Sequence, residues 1–208
     1  SDKPVRRPHS TGRFYSPQQV FNALTKEADK HGHKLISASA SEGTLGQEHL
    51  FELLELVDDS KYIFVLETNG MTLGHDRDFA LALARFKNLH VRVSIKGTNP
   101  SEYSQLTGAN EASYELPYRG LGYLIDAGVS CNACLSLSFS TRSGLDDAKR
   151  RLAKIRPGLL KSLETEKRLN KKAHRLQRHQ PQAISTATES QTEMMIASTS
   201  LRTKTAFS

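Results

Sequence analysis

Two short apolar runs, each ending in polar residues, constrain the fold of this chain more than any other feature. The first run is Tyr-Ile-Phe-Val-Leu-Glu-Thr-Asn-Gly at residues 62–70, and the second is His-Val-Arg-Val-Ser-Ile-Lys-Gly at residues 90–97. Between them, apolar residues recur at helical spacing over residues 79–86. A strand, a helix and a strand in this order predict a βαβ unit with two parallel strands.

The polar residues at the ends of these runs are the first candidates for a functional site. They are Glu67, Thr68, Asn69, Ser94 and Lys96. In parallel α/β folds, ligands bind at the carboxyl ends of the strands, so these side chains are expected to line a site. The alternative interpretation is that they only begin loops, since Asn-Gly is a common turn sequence.

Length and composition limit the class of protein. A chain of 208 residues is long enough for one domain with a core and a tail. Its apolar stretches are of strand length, so no membrane span is expected. The two cysteines, Cys131 and Cys134, fit a reducing compartment, and we predict a cytoplasmic protein. The chain begins at Ser1 and has no methionine before Met71, which favours a fragment or a processed product.

The net charge of +7 is concentrated near the carboxyl terminus. From Arg156 onward, ten basic residues stand against four acidic ones, which leaves +6, and the preceding part is close to neutral. Such a segment binds polyanions weakly and in a salt-dependent way, but no aromatic residues are interleaved with it for base stacking. We therefore expect nucleic acid to be an improbable partner. Residues 182–208 are rich in Ser, Thr, Gln and Ala without apolar periodicity and are predicted to be disordered.

The pattern along the chain predicts alternating helices and strands. We divide it into an irregular lead-in at residues 1–13, an α/β domain at 14–165, and a basic, then Ser/Thr-rich, tail at 166–208. Strands are expected at 34–40, within the two runs above, and at 130–139. Helices are expected from Ser16 to Gly32, around residues 50–57, 79–86, 100–106 and 117–128, and at 146–155.

Side-chain alternation separates the two parallel architectures that this pattern allows. A doubly wound sheet is apolar on both faces, whereas an arc of a β/α barrel has one face open to a ligand. The last two clear strands each carry one polar face, so the barrel arc is favoured; an exposed antiparallel sheet is the alternative, which the intervening helices disfavour. The inward set is predicted to be Arg92, Ser94, Lys96, Asn132, Ser136 and Ser138, and the helix-facing set Val91, Val93, Ile95, Leu135 and Leu137.

The cysteines and histidines offer a weaker case for chemistry. Cys131 and Cys134 are three residues apart on a predicted strand, so their thiols point to opposite faces and are expected to be structural. His31, His33 and His49 are scattered in turns and on a helix. No metal site is predicted within this chain.

Four sequence pieces, read in order, resemble one family. The segment Ala40-Ser-Glu-Gly-Thr-Leu-Gly46 resembles a Gly-Gly-Glu-Pro-Thr-Leu-Gly motif that follows the second strand of radical S-adenosylmethionine (SAM) proteins. Glu67-Thr-Asn-Gly70 resembles the end of their third strand, and Val93-Ser-Ile-Lys-Gly97, with Leu106-Thr-Gly-Ala109, resembles their fourth strand and its loop. Phe14-Tyr-Ser-Pro17 resembles the start of their first helix. The likeness is to activating-enzyme-like members and covers residues 12–155.

The resemblance implies a partial (β/α) barrel of the radical SAM type, with the first strand and the cluster loop missing. In the family, a [4Fe-4S] cluster reduces SAM and generates a 5′-deoxyadenosyl radical that abstracts hydrogen from a substrate. The Cys-x-x-x-Cys-x-x-Cys loop that holds the cluster is absent from this sequence and would lie upstream of Ser1. The cluster is therefore expected only if that loop exists in a longer parent, and the chain as printed is expected neither to assemble a cluster nor to cleave SAM.

The resemblance also implies a set of SAM-binding residues, roles and partners. Glu42 would accept hydrogen bonds from the amino group of SAM, Lys96 would pair with its carboxylate, and Glu67 or Ser94 would support the ribose or a cation. Ser41 and Gly43 depart from the family motif, and SAM affinity is expected to be impaired. The substrate stays open as a small molecule or a protein to be activated, with ferredoxin or flavodoxin as an electron donor. The implied SAM-binding residues are Ser41, Glu42, Gly43, Glu67, Thr68, Asn69, Ser94 and Lys96.

Two other functions stay open at this point. A degenerate, non-catalytic relative would keep the barrel arc and bind a nucleotide-like ligand, or none. A nucleic-acid-binding module that uses the basic tail is the third, which the lack of interleaved aromatic residues disfavours.

Overall fold

The computed structural model describes residues 13–38 and 42–166. Nearly all of the lead-in, Ser41 and the tail from residue 167 onward lie outside the described residues. The predictions for those segments, including disorder over 182–208, therefore stay predictions.

Five parallel strands form one sheet in the described part of the chain, and their order in the sheet follows their order in the sequence. Each strand pairs with the next through a helical connection, so the sheet curls into a half-barrel with helices around it. The predicted partial barrel is confirmed, because a doubly wound sheet would require a reversal of strand order. The strands are β1 (Leu35–Ile36), β2 (Ile63–Thr68), β3 (Leu89–Lys96), β4 (Cys131–Ser136) and β5 (Glu164–Glu166).

The helices between these strands cover the outer face of the sheet and supply its apolar core. They are α1 (Pro17–His31), α2 (Gln47–Asp58), α3 (Met71–His75), α4 (Arg77–Ala82), α5 (Pro100–Thr107), α6 (Leu116–Asp126) and α7 (Arg142–Ile155). Single 3₁₀ turns occur at Gly43–Leu45, Leu83–Arg85, Glu111–Glu115 and Pro157–Leu160. No helix of the described residues is both long enough and apolar enough to cross a membrane.

Helix α1 begins and ends where its sequence predicts. The Ser16 hydroxyl accepts from the backbone N–H of Gln19 at 3.2 Å, and the Gln19 side chain accepts from the N–H of Ser16 at 2.9 Å. This reciprocal capping box satisfies two backbone donors that the first turn leaves free. Gly32 ends the helix in the left-handed conformation, with φ of 68°.

The structure differs from the prediction at three places. The helix expected at 79–86 is the α-helix α4, which ends at Ala82, followed by the 3₁₀ turn Leu83–Arg85. The short helix α3 precedes it and was not predicted; Asp76 between the two helices is extended, and its carboxylate caps α4 at the N–H of Phe79. The strand expected at 34–40 is only the two residues of β1. Strand β5 was not predicted, because its three polar residues were assigned to the loop before the tail and to the tail itself.

The predicted facing of β3 is confirmed. Val91, Val93 and Ile95 are fully buried in the core, whereas the side chains between them lie on the concave face. The ladder places Arg92 beside Asn132, Ser94 beside Cys134 and Lys96 beside Ser136. Because parallel partners share a face, Cys134 lies on the concave side and Cys131 on the opposite one, as their spacing predicts.

Helices α3 and α6 cross without side chains between them at Gly74 and Gly120. A Cβ atom at Gly74 would lie 2.0 Å from the carbonyl oxygen of Leu116. A Cβ atom at Gly120 would lie 2.9 Å from Leu73 Cβ and 3.1 Å from the carbonyl oxygen of Gly70. This close contact fixes the chain that leaves β2, where the first candidate residues lie.

Candidate functional site at the carboxyl ends of the strands

The carboxylate of Glu42 connects the loop after β1 to the end of β2. Its Oε1 accepts from the hydroxyls of Thr68 at 2.6 Å and Thr44 at 2.7 Å, and its Oε2 accepts from the N–H of Asn69 at 2.8 Å. A carboxylate has about four acceptor positions, so Oε2 retains one for a further donor. Two of the predicted site residues, Thr68 and Asn69, are thus held by a third, Glu42. Gly43 follows as the first residue of a 3₁₀ turn, and Ser41 lies outside the described residues.

The turn after β2 is rigid for two reasons. Asn69 Oδ1 accepts from the N–H of Met71 at 2.8 Å, and Thr68 Oγ1 accepts from the N–H of Gly70 at 3.0 Å. Gly70 has φ of 74°, and a Cβ atom there would lie 2.7 Å from Val93 Cγ1. Only glycine fits this left-handed position beside β3, so Asn69-Gly70 is a structural turn that also places Glu67 and Thr68. The turn interpretation of this motif is confirmed, and its role in a ligand site stays a prediction.

Lys96 lies at the end of β3 and extends over the concave face. Its Nζ donates to Ser94 Oγ at 2.6 Å and to Ser136 Oγ at 3.2 Å. The structure thus brings Ser94 and Lys96 together with Ser136, which was predicted to face inward but not to bind SAM. Lys96 thus ends β3, which is adjacent to β2, the strand whose end Glu42 contacts.

Arg92 occupies the middle of the concave face and binds three carboxylates. Its Nε lies 2.8 Å from Glu164 Oε2, its Nη2 lies 2.6 Å from Glu166 Oε1, and its Nη1 lies 3.4 Å from Glu67 Oε1. Its Nη2 also lies 3.1 Å from the sulfur of Cys134. The carboxylate of Glu67, predicted to support a ribose or a cation, is thus in contact with a guanidinium from the next strand.

Burial and charge act in opposite directions on these groups. Burial would lower the pKa of Arg92, but the hydrogen bonds that it donates to Glu166 and Glu164 outweigh burial and raise that pKa. Burial would raise the pKa of Glu166, but the Arg92 guanidinium outweighs it and lowers that pKa. Burial raises the pKa of the Cys134 thiol to about 12, so the group stays protonated beside Arg92 at neutral pH.

Sequence reasoning missed Glu164 and Glu166, since β5 itself was missed. The available signal was the alternation Glu-Thr-Glu, which places two carboxylates on one face of a strand. Thr44 and Thr72 were also missed; their hydroxyls lie 3.1 Å apart beside Glu42. A short polar edge strand has too little apolar content to be recognised without its partner.

A second carboxylate organises the loop after β3. Glu102 Oε2 accepts from the N–H of Thr98 at 2.8 Å, from its hydroxyl at 3.0 Å, and from the hydroxyl of Ser140 at 2.8 Å. Burial would raise the pKa of Glu102, but these donors outweigh it and lower that pKa.

This network predicts a loss of stability in acid. Because the pKa of Glu102 is lower in the folded state, its stabilisation is complete above the unfolded-state pKa of about 4.3 and is lost as the pH falls through the folded-state value. Glu102→Gln should therefore reduce the fall in unfolding free energy between pH 7 and acidic pH, measured by urea titration. The exposed Glu111→Gln serves as the control, and an identical pH dependence in both variants would contradict the prediction.

Two hydroxyls near the same edge of the sheet are buried without a partner in the described part of the chain. They are Ser37 Oγ, directly after β1, and Ser138 Oγ, two residues after β4. Buried polar atoms normally have hydrogen-bond partners, and an unpaired one suggests a ligand or an ordered water. Both residues follow the carboxyl end of a strand, where ligands bind in parallel folds.

A surface groove of about 360 Å³ lies at the other end of β4. Its lining includes Ser130, Cys131 and Arg156. The nearby His90 lies 2.8 Å from Ser130 Oγ through Nδ1 and 3.0 Å from Asn132 Oδ1 through Nε2, so it ties the start of β3 to β4. The amino ends of the strands usually serve stability rather than chemistry, and we place the site at the carboxyl ends.

Comparison with known proteins tests the architecture. No protein-family model matches the chain, and no curated protein matches its sequence. A structure of Streptococcus suis SuiB bound to S-adenosylmethionine aligns over 76% of this chain and 44% of its own length, with a TM-score of 0.55 and 14% identity. Another structure of Streptococcus suis SuiB aligns over 83% of this chain and 48% of its own, with a TM-score of 0.54 and 12% identity.

The described residues share the fold of these SuiB structures. The chain spans less than half the length of either SuiB structure, and identities this low show likeness of fold alone. The resemblance drawn from four short motifs is confirmed at the level of the fold.

The described domain contains few possible ligands for an iron–sulfur cluster. Such clusters are held by cysteine thiolates, and the described residues contain two cysteines, Cys131 and Cys134, on opposite faces of β4. No group of three or more His, Cys, Asp or Glu side chains within residues 13–38 and 42–166 is arranged to hold a metal ion. These residues therefore do not fit a [4Fe-4S] cluster.

Proposed function

We propose that the carboxyl ends of β2, β3 and β4 bind S-adenosylmethionine, and that the chain is the core of a radical SAM enzyme. The observation that carries this proposal is the pairing of an acid and a cation at adjacent strand ends of a radical SAM-like sheet. Glu42 lies against the end of β2, and Lys96 lies at the end of β3. The methionyl part of SAM carries an ammonium and a carboxylate, which have the complementary charges.

Each half of this recognition has a physical basis in named atoms. Glu42 Oε2 accepts one protein donor and has room for the ligand ammonium. The Lys96 ammonium, which donates to Ser94 and Ser136, would pair with the ligand carboxylate. The buried hydroxyls of Ser37 and Ser138 supply further groups that need partners. Of the other residues predicted to bind SAM, Gly43, Thr68 and Asn69 would line the loop beside the ligand, and Glu67 or Ser94 would support its ribose or a cation.

The expected result of titrating the chain with SAM is a set of backbone amide shifts at these strand ends in ¹H–¹⁵N NMR spectra. Lys96→Met should weaken binding roughly ten- to a hundred-fold, because a charge-assisted contact contributes about 1.5–3 kcal/mol. Lys154→Met, an exposed lysine near the end of α7, is the matched control and should leave affinity unchanged. Shifts confined to the groove around Ser130, or equal affinity in both variants, would contradict the proposal.

A second candidate function is binding of SAM or another nucleotide-like ligand without radical chemistry. It is favoured by the two opposed cysteines, which do not fit a cluster, and by the protein donors that already engage Glu42. Formation of 5′-deoxyadenosine after anaerobic iron–sulfide reconstitution separates the two functions. Product from a longer parent protein that carries an upstream Cys-x-x-x-Cys-x-x-Cys loop would support the enzyme, and ligand binding without product in such a parent would support the second candidate. The 208-residue chain alone is expected to form no product under either function.

A further inference from the structure

Strand β5 contributes charged rather than apolar side chains to the sheet. Its sequence is Glu-Thr-Glu, all three residues are exposed, and it pairs on one side with β4. The backbone contributes a short ladder, which extends to a bond from the N–H of Leu137 to the carbonyl of Glu166 at 2.7 Å. Strands normally gain stability from apolar burial, which these residues do not provide.

The side chains of β5 make the stronger contacts. Glu164 accepts from Arg92 Nε at 2.8 Å with one oxygen and from Asn132 Nδ2 at 2.7 Å with the other. Glu166 accepts from Arg92 Nη2 at 2.6 Å. The guanidinium is 17% exposed, but the two carboxylates are 49% and 45% exposed, so salt can screen their attraction to it.

We infer that β5 is a charge-held strap that detaches from the edge of β4 as a unit and exposes the part of the concave face that its two carboxylates cover. The ion pairs of Arg92 break together, because one guanidinium serves both carboxylates. Such openings occur at a lower free energy than global unfolding when a segment has few apolar contacts. The core formed by β2, β3 and β4 with their helices is left intact.

Detachment of the strap changes the candidate ligand site directly. The ladder places Glu166 beside Ser136, the residue whose hydroxyl contacts Lys96. The carboxylate of Glu166 therefore contributes negative charge near the Lys96 ammonium in the closed state. Opening removes this charge and widens access to the ends of β3 and β4. This inference goes beyond ligand identity and holds whether or not the site binds SAM.

Cys134 is a built-in reporter for the opening. Its side chain is 0% exposed, and its sulfur lies 3.1 Å from Arg92 Nη2 on the face that the strap covers. The sequence contains only two cysteines, so Cys131→Ser leaves Cys134 as the single thiol. A maleimide reacts with this thiol only when the covering contacts are broken, and its labelling rate therefore measures how often the strap opens.

The experiment compares maleimide labelling of the Cys131→Ser protein with and without Glu164→Gln and Glu166→Gln. The double substitution preserves side-chain shape and removes both charges, and it should raise the labelling rate at least about tenfold. Glu115→Gln is the matched control, because it breaks an ion pair with Arg151 at the surface and should leave the rate unchanged. Equal rates in the double variant and the control would overturn the inference.

Salt dependence provides a test that needs no substitution in β5. Raising the NaCl concentration should accelerate labelling of the Cys131→Ser protein severalfold while its thermal midpoint hardly changes. If the Glu164→Gln, Glu166→Gln protein fails to fold, the salt series by itself tests whether charge holds β5 against β4. A labelling rate independent of salt, or one that rises only with global unfolding, would overturn the charge-held strap.

Discussion

Gly74→Ala is expected to lower the free energy of unfolding by about 3 kcal/mol or more. The added Cβ would lie 2.0 Å from the carbonyl oxygen of Leu116 and 2.6 Å from its carbonyl carbon. Both are backbone atoms of α6, so no side-chain rotation relieves the overlap. Helices α3 and α6 must move apart, and a corresponding fall of about 6–12 °C in the thermal midpoint should follow.

Gly122→Ala is the matched control for this prediction. Gly122 lies on the same helix, α6, and a Cβ atom there would meet nothing within 4 Å. Alanine should therefore be neutral or stabilising by up to about 1 kcal/mol, through its higher helix propensity. Thermal unfolding followed by circular dichroism measures both variants. Equal midpoints for Gly74→Ala and Gly122→Ala would show that the two helices do not approach each other this closely.

Arg92→Met is expected to destabilise the domain by about 2–3 kcal/mol. Removal of the guanidinium leaves Glu67, Glu164 and Glu166 close together without a counter-charge. Breaking a fully buried pair costs about 3–5 kcal/mol, and the partial exposure of these carboxylates reduces that value. Urea unfolding at neutral pH measures the loss. Arg150→Met, which removes an exposed ion pair with Asp147, should change stability by less than about 0.5 kcal/mol.

The pH dependence of the Arg92 variant gives this prediction a second readout. In the wild-type protein the pKa of Glu166 is lowered, so its stabilising contribution is present above about pH 4.3 and is lost as the pH falls through its folded-state value. In Arg92→Met that contribution is absent at neutral pH. The difference between the two proteins should therefore shrink in acid. A difference independent of pH would indicate that Arg92 acts through packing alone.

The central strands β2, β3 and β4 were predictable because the sequence patterns that indicate them span only a few neighbouring residues. Alternation in β3 placed Val91, Val93 and Ile95 in the core and Arg92, Ser94 and Lys96 on the other face, and the structure agrees. The cap of α1 needs only Ser16, Gln19 and Gly32, which are close in sequence. The polar strand ends were also recognisable, because the alternation of a strand and the point where that alternation stops are both visible within a few consecutive residues.

Only the tertiary structure decided what these polar residues contact. Glu42 meets Thr68 and Asn69 from 26 and 27 positions away. Arg92 meets Glu164 and Glu166 from 72 and 74 positions away. Strand β5 has no apolar pattern of its own. It forms a strand because its backbone pairs with the edge of β4 and its carboxylates bind Arg92. Apolar periodicity indicates which residues are buried, whatever they pack against. An ion pair depends on one particular partner, and only the completed sheet brings that partner close.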